Sequence, residues 1–130
     1  MPLRRNSETP QTLCESRLDT ALVSELIEVE RASGQALFGP FLARVAGRHT
    51  LDVDKVRASN ACLDFKALAA TTHEFTGIAL SFGLMRVAQL AQAINASAAS
   101  GMTALPSAID ELDLAISIDA AALRSYLDRM

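Results

Sequence analysis

Proline stands at positions 2, 10, 40 and 106, so the chain runs from 41 to 105 without one. Proline removes a backbone donor and breaks helices, and a proline-free run of that length can be helical almost throughout. The composition agrees. Half of the residues are apolar, only 5% are aromatic, there is no Trp, and Ala and Leu dominate. Runs of β-branched residues, which a sheet would need, are scarce. The 130 residues suffice for one domain with one core. These features predict an all-α fold.

Several function classes drop out at this level. The formal net charge is −3, and no Lys/Arg cluster outlines a nucleic-acid footprint. The one dense basic spot, Arg4-Arg5, lies in a polar tail. Cys14 and Cys62 make a poor disulfide framework; Cys62 is expected as a small buried residue. Met1 to Leu13 lacks the apolar core of a signal peptide, and no apolar run approaches the roughly 20 residues of a membrane span. A soluble cytoplasmic monomer is expected, binding neither nucleic acid nor membrane. His49 and His73, far apart and without cysteines at ligand spacing, form no metal site. His49 reads as a residue at the core edge. The pair His73-Glu74 would open a zinc-protease motif only with a second histidine at 77, where Gly77 stands. No glycine-rich phosphate loop occurs, so neither ATP binding nor kinase activity is expected.

Residues 1–16 read as a flexible tail and 17–130 as the folded domain. Asp19 is a good N-cap, with Leu18 and Val23 at the spacing of a hydrophobic staple; a short helix follows and ends before Ser33-Gly34. Gln35 to Ser59 carries an apolar stripe and reads as one helix, starting at Pro40 or starting near Ala36 and kinking. Asp64 caps the next helix, flanked by Leu63 and Leu68 at staple spacing, and Gly83 is available for its left-handed end. A helix from Leu84 runs to the Ser97–Gly101 turn. Thr103 opens the last one, with Pro106 tolerated in its first turn. Four substantial helices, a shorter N-terminal one and short loops predict an up-down-up-down antiparallel four-helix bundle with a short N-terminal capping helix.

Within this frame the stretch Asp64–Gly83 holds the chemistry. Positions 65, 68, 72, 75, 79 and 82 form a buried stripe at helical spacing. At about 100° per residue, His73 lies roughly 140° from its middle and points outward. Ala69, Ala70 and Gly77 lie one turn away and clear the surface around it. Gly77 in mid-helix costs about 1 kcal/mol relative to alanine, which a closely approaching partner would account for. Lys66 precedes His73 by two turns on the same side. Leu80, two turns on, would be an exposed apolar rim. A neutral imidazole nitrogen can take a phosphoryl group covalently.

The run His73-Glu-Phe-Thr-Gly77-Ile-Ala79-Leu-Ser-Phe82-Gly83, with Asp64 nine residues upstream, resembles the signature of histidine-containing phosphotransfer (HPt) domains. That pattern is His-x-hydrophobic-Lys-Gly-small-Ala followed by an apolar-Gly pair. The resemblance covers most of residues 18–127, and its sharp part is about twenty residues, Asp64 to Gly83. It implies a four-helix bundle in a two-component phosphorelay. His73 would be the phosphoacceptor, shuttling phosphoryl groups between receiver-domain aspartates of response regulators and hybrid histidine kinases. Lys66, Ala69, Ala70, Thr76, Gly77 and Leu80 would form the docking face. The chain would need no cofactor, Mg²⁺ being held by the receiver. Thr76 stands where the family usually has lysine; Lys66, Arg48, Lys55 or Arg57 are the charges that could replace it. The alternatives are an adaptor of the same shape that binds a receiver or another signalling protein without phosphorylation, and a purely structural helical domain.

Overall fold

A computed structural model describes residues 17–130; the tail expected over 1–16, with Cys14, lies outside the described residues. Among the described residues six helices have their full range: α1 (Thr20–Ser33), α2 (Phe38–Ala46), α3 (Val53–Ala61), α4 (Phe65–Phe82), α5 (Met85–Ala99) and α6 (Pro106–Asp128). The expected four-helix bundle is therefore corrected to an all-α domain with six helices among the described residues. The difference arises in Gln35–Ser59, which is two helices and not one. Gly47 ends α2, Arg48 and Leu51 take left-handed φ of 60° and 53°, and Asp52 caps α3 by accepting from the Asp54 amide at 3.1 Å.

Two helices have the ends that their caps dictate. The Asp19 carboxylate accepts from the Leu22 amide at 3.1 Å, and Gly34 closes α1 at φ 74°. The Asp64 carboxylate accepts from the Ala67 amide at 3.1 Å, and Gly83 closes α4 at φ 78°. The staple expected between Leu63 and Leu68 does not form. Leu63 sits in the left-handed region at φ 57° and is exposed.

The start of α2 is set from a distance. The Glu30 carboxylate, on α1, accepts from the amides of Leu37 at 2.6 Å and Phe38 at 2.9 Å. It caps a helix whose own preceding residue, Leu37, has no capping side chain. Those two donors, Leu37 first, hold the Glu30 carboxyl below its ordinary range. Pro40 falls in the first turn, where amides have no intrahelical partner. Phe41 stacks on Phe82 of α4 with ring centres 3.8 Å apart, and Phe38 meets the same ring edge-on at 6.1 Å. The last helix begins later than Thr103. Asn60 on α3 holds the preceding strand of chain by a reciprocal pair. Its Nδ2 donates to the Ala104 carbonyl at 3.0 Å, and its Oδ1 accepts from the Ala104 amide at 2.8 Å. Leu105 is then extended, as the residue before a proline prefers.

α4 and α5 form an antiparallel hairpin, α6 packs along α5, and α3 bridges α4 and α6. Leu68, Phe75, Val87, Ala91, Leu112 and Leu123 lie at the centre of the core. α1 sits at the Gly83 end of the hairpin, where the Asp19 amide donates to the Gly83 carbonyl at 2.9 Å. Arg57 ties α3 to α6 through Asp110 at 3.0 Å and Asp113 at 3.2 Å. Among the described residues one charged side chain is fully buried: Asp119 on α6 accepts from the Arg17 guanidinium and from the Val87 amide at 3.1 Å. Among the described residues no buried side-chain nitrogen or oxygen lacks a hydrogen-bond partner, and no helix is long and apolar enough to cross a membrane.

Candidate docking face on helix α4

The buried stripe of α4 runs through Leu68, Thr72, Phe75 and Ala79, with Phe65 and Phe82 half-buried at its ends. Its opposite side is open. Lys66, Ala70, His73, Gly77 and Leu80 are exposed there, and Leu80 keeps 49% of its surface in solvent. A methyl group added to Gly77 would meet nothing within 4 Å. Neither packing nor a special φ therefore requires glycine at this position.

Two of the expected docking residues are less open than the others. Ala69 and Thr76 are half-buried. Asn95 of α5 donates its Nδ2 to the Ala69 carbonyl at 2.7 Å and approaches the Thr72 hydroxyl at 3.3 Å. Thr76 donates its hydroxyl to the Thr72 carbonyl at 2.9 Å, within its own helix, so it is occupied inside α4. Asn95 was not among the residues singled out from the sequence. The one asparagine of an alanine-rich helix was the available signal, because a short amide side chain gains from reaching a neighbouring backbone. The charges considered as replacements for a lysine at 76 divide as well. Arg57 is held by Asp110 and Asp113, and Arg48 contacts Asp54 at 3.4 Å. Lys55 and Lys66 are exposed.

Two further expectations are corrected. Cys62 is exposed, because it follows the last residue of α3 and falls in the turn toward α4. His49 is exposed in the α2–α3 loop, with its ring over Gly47, where an added Cβ would come within 2.9 Å of its Cδ2. Among the described residues no group of three His, Cys, Asp or Glu could hold a metal ion.

Gly77→Ala isolates the glycine. With open space and helical backbone, the substitution should stabilise the fold by about 1 kcal/mol, measured by urea unfolding. A loss of stability would show that the glycine serves the fold itself.

No family model matches the chain, and neither a curated protein nor a solved structure does so. The resemblance to HPt domains is thereby corrected. It rested on about twenty residues of α4, it finds no support in any match, and the six-helix order departs from the four-helix bundle that it implied. Phosphorelay through His73, and the adaptor of HPt shape offered as its alternative, fall with it.

Proposed function

We propose that this chain is a protein-docking module without catalysis of its own, and that it receives one helix of a partner protein across the open side of α4. The observation that carries this reading is Gly77. It is an exposed mid-helix glycine with nothing near it, at a position where alanine would serve the fold better. Helices approach closely where small residues line the contact, and Ala70 and Gly77 supply them. Leu80 is the exposed apolar anchor at one end. Lys66, at the other, gives the face a positive edge. A complementary partner helix would carry apolar residues opposite Leu80 and a carboxylate opposite Lys66.

Affinity capture from the cells that make this chain, followed by calorimetry with the purified partner, tests the reading. Gly77→Arg and Leu80→Asp should each weaken binding by about thirtyfold or more, as loss of an interface centre does. Glu25→Lys, at an exposed site on α1, should leave it unchanged. A partner bound equally well by both α4 variants would overturn the assignment, as would repeated capture that yields no direct binder. Receiver domains enter this assay as one partner class among others.

A further inference from the structure

The break between α2 and α3 opens a cleft of about 270 Å³ against α6. Leu42, Val45, Leu51 and Ile116 form its apolar wall. Its polar side carries Arg48, Arg124 and Ser117, together with Asp113, which is bonded to Arg57. Arg124 is exposed and makes no ion pair among the described residues. Arg48 is paired with Asp54 at 3.4 Å and Asp113 with Arg57 at 3.2 Å, which leaves Arg124 as the unpaired positive charge of the lining among the described residues.

Backbone geometry points to the same place. Among the described residues three non-glycine positions have positive φ, namely Arg48, Leu51 and Leu63. Two of them line this cleft. Left-handed backbone is costly for a branched or long side chain, and such strain gathers at binding sites. Here it turns Leu51 into the apolar wall, where it is 5% exposed, and places Arg48 at the cleft.

From an apolar wall, two guanidinium groups, one unpaired positive charge and a volume just below the usual range of about 300–1,000 Å³ for ligand sites, we propose that this cleft binds a small organic carboxylate with an aliphatic body. Arg124 pairs with the carboxylate, Arg48 and Ser117 donate further hydrogen bonds, and the chain lies against Leu51 and Ile116. Guanidinium and carboxylate match in geometry as well as charge, and a monoanion suits one unpaired charge better than a dianionic phosphate ester.

Titration of the ¹⁵N-labelled full chain with octanoate tests the proposal. Saturable amide shifts are expected at Leu51, Ile116, Ser117 and Ala120. Octan-1-ol should bind about tenfold more weakly, and Arg124→Gln should lower octanoate affinity by about the same factor, the effect of losing a charged hydrogen bond. Ala121→Leu, at an exposed helical position lining the cleft, should abolish binding with the circular dichroism unchanged. Arg48→Gly should weaken octanoate binding without lowering the melting temperature, since glycine accepts φ 60° freely. Shifts that do not saturate or that scatter over the surface would overturn the proposal. So would Arg124→Gln binding as tightly as the parent.

Discussion

Asp119→Ala is expected to destabilise the domain by about 2–4 kcal/mol. Removing one member of a buried pair leaves its partners without compensation. Here they are the Val87 amide at the start of α5 and the Arg17 guanidinium, and the contact to Arg17 joins positions 102 apart in sequence. Arg17 keeps a quarter of its side chain in solvent and can turn outward, which holds the loss below that of a fully enclosed pair. Burial pushes the Asp119 carboxyl above the ordinary aspartate range, while the charge and hydrogen bond of Arg17 and the Val87 amide pull it back in part. The sign for stability follows. Between the unfolded aspartate value, about 3.9, and the raised folded value, the native state holds more protons than the unfolded one. This residue's contribution therefore falls as pH rises through that window. Asp119→Asn, which keeps an acceptor for Val87, should flatten that slope. Urea unfolding at a series of pH values measures both effects, and an unchanged slope in Asp119→Asn would exclude the carboxyl as its source.

Phe75→Ala should cost about 3–5 kcal/mol, the range for removing a large buried aromatic. Phe75 is 2% exposed and sits in the middle of the buried stripe of α4. α5 and α3 both pack on that helix, so a cavity there undercuts the support of its open face from behind. Set beside Gly77→Ala, two residues on and expected to stabilise, it makes a sharp internal contrast. One side of α4 belongs to the core and the other is free of it. Comparable losses in the two variants would refute that division. Chemical denaturation with matched m-values decides it.

That division of α4 was legible in the sequence. Asp64 and Gly83 mark its ends by local chemistry, and the three-four spacing of Leu68, Thr72, Phe75 and Ala79 marks its inner face. The same holds for α1 between Asp19 and Gly34. The break in the second helix was harder to see because its signal is weak. Arg48 and Leu51 adopt left-handed backbone without being glycine, and no propensity announces that. Asp52 followed by Val53 was the readable clue, an N-cap inside what looked like one continuous stripe. The start of α2 depends on Glu30, seven residues before the first amide that it caps, and helix-local rules do not reach so far. Ala69 was assigned to the open side from its helical spacing to His73, and Thr76 from the position of the lysine in the signature. Which flank a neighbouring helix covers is decided by tertiary packing, here by α5 and its Asn95. The short match to a known signature extended further than its residues could carry, since it described one helix and implied a whole fold.

The two glycines of α4 bear on how this chain can diverge. At Gly83 the backbone is left-handed, and an added Cβ would lie 3.0 Å from Val23 Cγ2 and 3.2 Å from the Asp19 carbonyl. No relative that keeps this architecture can exchange it freely, whatever it binds. Gly77 is under no such constraint, and drift would readily turn it into alanine unless the proposed docking holds it. Position 83 is therefore held by the fold, and position 77 would be held only by the proposed docking.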